Sequence, residues 1–187
     1  MLLSKNPERP NLSGFFYKHH LYFYGRDKME IRLLTEKDIY EMTKFYVKSW
    51  KATYNGIVPK KILNTITIEK FSKIWGEYIF KEENGIFGAF ENNEFLGFGA
   101  FTPDKLMENT LYLDSLHIKN EYKGKGIGTE LINRLKKYAK EKGYKGVSVS
   151  IMSENIRARN LYVKLGAIHI NDYINYEIKC EKLYWEL

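Results

Sequence analysis

The chain has 187 residues, 44% hydrophobic and 28% charged, which suits a soluble globular protein with room for a real core. No run approaches the roughly 18 apolar residues of a membrane-spanning helix, and the N-terminus lacks the apolar centre of a signal peptide, so neither a membrane partner nor export is expected and the location reads as cytoplasmic. The single Cys180 excludes an internal disulfide and supplies no metal-ligand cluster, and the formal charge of +7 is spread among glutamates on predicted helix faces, which argues against a nucleic-acid partner.

Residues 1–28 lack helical periodicity and carry Pro7, Pro10, Gly14 and Gly25, so they read as an N-terminal extension to a single domain over 29–187, with Met29 a candidate natural start. Against that stands the aromatic run from Phe15 to Tyr24, because such residues usually pack on something. A short strand from Met29 leads to a helix opened by a Thr35–Asp38 capping box, with Ile39, Met42, Tyr46 and Trp50 on one face. Gly56 and Pro59 break it, and a second helix follows over Ile68–Ile79. Strands at Ile86–Phe90 and Phe95–Thr102 are joined by a hairpin turn near Asn92 and Asn93. After a loop over Pro103–Asn109, another strand runs to Lys119. Simple alternation along it places Tyr112, Asp114, Leu116 and Ile118 on one face and Leu113, Ser115 and His117 on the other.

Ile127, Leu131, Leu135, Tyr138 and Ala139 then fall at spacings of three and four, marking a long amphipathic helix that Gly143 ends. Val147–Ile151 reads as a strand, Ile156–Leu165 as a helix closed by Gly166, and Ala167–Ile170 and Tyr173–Leu183 as the last strands. Strand, loop, helix and strand in succession form a right-handed parallel crossover, while the preceding hairpin is antiparallel. The fold class is therefore α/β or α+β, with a mixed sheet and helices on both faces.

The chemistry concentrates where the strand ending at Lys119 meets the long helix. Gly124, Gly126 and Gly128, interleaved with Lys123 and Lys125, allow the backbone to turn tightly in front of a helix start, whose amides lack intrahelical partners and favour an anion such as a pyrophosphate. An NTPase loop would need G-x-x-x-x-G-K-[ST], which is absent, and the spacing G-x-G-x-G misses the dinucleotide fingerprint by one residue.

Residues 116–128, LHIKNEYKGKGIG, and 155–167, NIRARNLYVKLGA, together resemble the two signature segments of the GNAT N-acetyltransferase superfamily, in that order. A looser likeness covers Ile31 to about Ile170 and includes WKATYNGIVPKKIL, which is similar to the segment bordering the acceptor site in many members. The resemblance implies a GNAT-like, mostly antiparallel twisted sheet with a central parallel pair, acetyl-CoA as cofactor, and an amine acceptor that is a small molecule or a protein amino group. It implies that Leu116, His117 and Ile118 hold the pantetheine arm through their backbone. Lys123, Gly124, Lys125, Gly126, Ile127, Gly128 and Thr129 would cradle the pyrophosphate, with Asn155, Asn160 and Lys164 as further contacts. Tyr162 matches the general acid for the coenzyme thiolate, although its spacing alone reads as a core aromatic.

Lys123 stands where the family prefers Gln or Arg, Asn120 where a Pro is frequent, and Ala167 where Phe is usual. Tyr112 occupies the place at which some members carry a glutamate base. That leaves Asp114 as the candidate base, with a structural aspartate at a strand bulge as the competing reading; His117 and His169 are weaker candidates. Trp50 and Tyr54 would border the acceptor pocket, or pack in the core. A non-catalytic acyl-CoA sensor is the alternative function, and a free C-terminal edge strand is compatible with a homodimer.

Overall fold

The computed structural model describes residues 29–187, so the expected extension and its aromatic run lie outside the described residues. Within them, seven strands form one sheet: β1 (Met29–Leu33), β2 (Gly85–Glu91), β3 (Glu94–Pro103), β4 (Thr110–Ile118), β5 (Gly146–Met152), β6 (Ile168–Asn175) and β7 (Ile178–Glu186). Their spatial order is β1-β2-β3-β4-β5-β7-β6, and only the β4–β5 pair is parallel. Five helices accompany them: α1 (Glu36–Tyr54), α2 (Lys60–Leu63), α3 (Ile68–Ile79), α4 (Ile127–Glu141) and α5 (Ile156–Lys164). No helix among the described residues is long and apolar enough to cross a membrane.

β3 feeds both cores, with its alternation interrupted at Leu96, which a bulge against β2 leaves unmatched between Phe95 and Gly97. Phe98 and Ala100 face α1 and α3, where they pack with Met42, Tyr46 and Trp75. Leu96 and Phe101 face the opposite side, where Leu131, Ile132 and Leu135 of α4 pack with Leu111, Val147 and Leu183. Leu111, Ile132, Val147 and Leu183 are fully buried, each such side chain contributing about 2 kcal/mol of apolar burial. At the start of α1 the Asp38 carboxylate accepts the Thr35 N–H at 2.8 Å, satisfying a free donor, and also pairs with Arg32.

Two expectations are corrected. The last hairpin turns at Tyr176 and Glu177, not at residues 171–172; both adopt positive φ, 48° and 67°, as a tight two-residue turn requires. Neither residue type announces that conformation, and what sequence reading takes as a break is an irregularity between His169 and Asn171. The second correction concerns β4. Ala100 pairs with Ser115 and Phe101 with Leu113, so Asp114 is an extra, bulged residue and alternation changes sense there. Leu116 and Ile118 therefore join Leu111 and Leu113 against α4, whereas His117 packs toward α1.

Candidate active site

The bulge coincides with the end of parallel pairing. Thr110 to Leu113 pair with Gly146 to Val149, and beyond Leu113 the strands separate, leaving β5 paired only with β7. The Lys119 amide donates to Leu96 O at 2.9 Å. By antiparallel alternation His117 and Ser115 spend their backbone groups on β3, whereas those of Leu116 and Ile118 point into the gap. The gap thus offers backbone donors and acceptors to an extended ligand arm lying between β4 and β5.

At its mouth stands the glycine loop. Gly124 and Gly126 adopt φ of +84° and +88°, and a Cβ at either would meet nothing within 4 Å, so both face open space. Gly126 caps α4, whose first amides, on Ile127, Gly128 and Thr129, find no backbone acceptor among the described residues. Gly128 allows close approach of this turn to α5, a Cβ there falling 3.3 Å from Leu161. Lys125 Nζ lies 4.7 Å from the Tyr122 ring, and Tyr122 donates to Glu94 at 2.8 Å, which braces the loop. The Lys123 ammonium has a lowered pKa, from desolvation first and then from the neighbouring charge of Arg157. Two cations held together beside free amides fit a polyanionic group. Arg157 was not singled out from sequence; its place one turn before Leu161, on the side of α5 turned to the loop, was the available signal. Asn160 and Lys164 follow on the same side of α5 and are exposed.

Tyr162 projects from α5 into the core, 5% exposed, with its ring edge-on to Trp185 at 5.5 Å. Desolvation raises its pKa, helped by Tyr54 and Tyr112, so three phenols converge near the gap. Asn155 caps α5 by accepting the Ala158 N–H at 3.3 Å, and its side chain also hydrogen-bonds Tyr54. Trp50 stacks obliquely on Tyr54 at 4.5 Å at the end of α1, which joins the two proposed acceptor-wall residues to the Tyr162 cluster.

Asp114 remains open to solvent, and its partner is the Ser115 hydroxyl at 3.5 Å. It is nevertheless crowded enough that desolvation raises its pKa, and its charge adds to the burial that raises those of Tyr46, Tyr78 and Tyr112. Tyr112, pushed up to about 12 mainly by burial, shares Ser150 with Tyr173. This tyrosine cluster around one carboxylate, drawn from α1, α3 and β4, was invisible in sequence because its members are far apart in the chain.

His117 has a different place from the one expected. It is buried, bonded to Ser49 through Nδ1 at 2.9 Å and stacked on Phe98 at 5.6 Å. Desolvation chiefly, and then Lys123, lowers its pKa to about 3, so it stays neutral and neither its ring nor its backbone faces the gap. His169 pairs with Asp172 at 2.7 Å on exposed β6, opposite Leu183 and on the other side of the sheet from Tyr112.

Comparison with known proteins agrees with this geometry. The chain is 29% identical over 143 residues to a spermidine N(1)-acetyltransferase of Thermoplasma acidophilum, covering 74% of this chain and 87% of that protein. The fold matches that of a PaiA N-acetyltransferase from Thermoplasma acidophilum solved with coenzyme A, at a TM-score of 0.72 and 24% identity, over 83% of this chain and 98% of the other. It also matches a ribosomal-protein-alanine N-acetyltransferase of Brucella melitensis, at a TM-score of 0.66 and 18% identity, over 84% and 99% of the two chains. With residues 41–167 matching the acetyltransferase (GNAT) family across both glycine loop and α5, the chain belongs to that family.

Proposed function

We propose that the protein is an acetyl-CoA-dependent N-acetyltransferase in which a primary amine attacks the thioester directly in a ternary complex. The observation that carries this reading is the gap beyond Leu113, with outward backbone groups on one wall and a cradle of amides without backbone acceptors at its mouth. Acetyl-CoA would supply the activated acetyl group. The cradle of Lys123, Gly124, Lys125, Gly126, Ile127, Gly128 and Thr129, with Arg157 beside it, binds the pyrophosphate. Leu116 and Ile118 align the arm and polarise the thioester carbonyl through backbone N–H groups. Asn155 contacts the arm, and Asn160 and Lys164 lie along its exposed side.

Tyr162 gives its proton to the leaving thiolate, and its raised pKa keeps that proton in place at neutral pH. Asp114 takes the proton released by the amine, a role that its raised pKa favours. Trp50, Tyr54, Tyr78 and Tyr112 form aromatic walls suited to a cationic acceptor. A small polyamine fits this chemistry, as the name of the Thermoplasma acidophilum relative suggests. That relative and the Brucella melitensis neighbour carry names with unlike acceptors, spermidine and a ribosomal-protein alanine, so the acceptor does not follow from the fold.

A non-catalytic acyl-CoA sensor is favoured by one observation, Tyr112 at the place where some members of the family carry a glutamate. One experiment separates the readings: calorimetric titration with acetyl-CoA, followed by thiol detection with a panel of spermidine, simple diamines, free amino acids and peptides. Binding with thiol release supports the enzyme; binding without release from any acceptor supports the sensor; no binding rejects both.

A further inference from the structure

The sheet face that carries Tyr112 also holds a buried ion pair that the proposed chemistry does not use. Asp104, just after β3, and Lys182, in β7, lie with Oδ2 and Nζ 2.7 Å apart and with side chains 4% and 9% exposed. The same Asp104 oxygen accepts the Ser148 hydroxyl, and Oδ1 accepts the Leu106 amide at 2.8 Å. Register places Tyr112 beside Ser148 and Ser150 beside Lys182, so all of these side chains share one face. Lys182 Nζ is 5.8 Å from the centre of the Tyr112 ring. A buried ammonium therefore lies one side chain away from Asp114 and Tyr162.

Stability alone gives little reason for this arrangement. Burying two charges costs desolvation that their attraction only partly returns, and apolar replacements of such pairs are often neutral or better. The placement has a consequence for charge. Lys182 left alone would set a positive potential across the acceptor face, where a cationic amine must enter. Bound to Asp104 it does not, and Asp114, which is in no ion pair among the described residues, stays the dominant charge.

Resting on the acetyltransferase reading, we propose that the Asp104–Lys182 pair determines acceptor specificity: Asp104 cancels the charge of Lys182, Lys182 supports the Tyr112 ring, and the face is left selective for cationic amines. Both are positioning residues, since neither is assigned contact with the reacting atoms.

The test is a double-variant cycle with Asp104→Asn, Lys182→Met and the pair combined, measuring KM for spermidine and for acetyl-CoA alongside melting temperature. Asp104→Asn leaves an uncompensated buried cation, so the spermidine KM rises about tenfold or more while that for acetyl-CoA stays within about twofold. Lys182→Met leaves Asp104 negative, so the spermidine KM falls, most clearly at low salt. Adding Lys182→Met to Asp104→Asn brings the KM back toward wild type, and the outcome that a purely structural pair would not give is the lowered spermidine KM of Lys182→Met alone, since breaking a structural pair would raise it. A spermidine KM unchanged in Asp104→Asn, or a combined variant no better than that single one, overturns the proposal. If Asp104→Asn does not fold, the Lys182→Met result decides alone, and an unchanged or raised KM overturns it. Wild-type protein that acetylates no amine removes the acetyltransferase reading and this inference with it.

Discussion

Tyr162→Phe separates the chemical role of this residue from its packing. The ring is 5% exposed and edge-on to Trp185 at 5.5 Å, and phenylalanine preserves both the volume and that contact. No hydrogen bond of the hydroxyl is formed within the described residues, so removing it strands no partner, and stability should change by less than about 1 kcal/mol. For a domain of this size that is about 2–4 °C in melting temperature. A positioned general acid is worth about 10²–10⁴ in rate, or about 3–5 kcal/mol of barrier. The expected result is therefore a kcat lowered by about 100-fold or more, read by thiol release at saturating amine and acetyl-CoA, with calorimetric coenzyme affinity unchanged. Because the Tyr162 pKa is raised by burial, wild-type activity should show no loss of this acid below about pH 10. A well-folded variant that keeps kcat within about threefold would refute the argument, because the thiolate would then take its proton elsewhere.

Gly126→Glu should cost about 1–2 kcal/mol of stability, since a side chain at φ +88° is strained although it meets no neighbour, yet coenzyme binding should be lost because a carboxylate enters the anion cradle. Unchanged affinity by calorimetry would move the cradle elsewhere. Asp114→Asn should lower turnover by roughly 10²-fold and abolish the acidic limb of kcat/KM, which in the wild type lies above the ordinary aspartate pKa because burial raises that of Asp114. A limb that persists assigns the base to another group. Asp38 is held down at about 2, first by its hydrogen bonds from Arg32 at 2.8 and 2.9 Å. Its lowered pKa means that the stabilisation is complete above about pH 4 and disappears as pH falls toward 2; as both side chains are partly exposed it is discounted to about 1 kcal/mol. Urea unfolding of Asp38→Asn should show that deficit at pH 7 and none near pH 2, and a pH-independent difference would contradict the account.

Local pattern carried much of this protein. Spacings of three and four predict α1, α3, α4 and α5 because one face of each must be buried, and glycines and capping residues mark their ends. The glycine loop was equally legible, since Gly124 and Gly126 adopt the positive φ that their residue type permits. The short α2 and the Tyr176–Glu177 turn were not, because neither has a residue signature strong enough to outweigh its context.

What the sequence determined by itself was therefore the elements, the phosphate-type cradle and the family motifs, all of which depend on neighbours within a few positions. Only the tertiary structure decided where β4 changes face. That change depends on Ala100 and Phe101, in another strand, pairing with Ser115 and Leu113 and leaving Asp114 unmatched. The same long-range pairing moved His117 away from the gap, turned the backbone groups of Leu116 and Ile118 into it, and gathered Tyr46, Tyr78 and Tyr112 around one carboxylate. Burial and electrostatic coupling depend on distances that the order of residues does not contain.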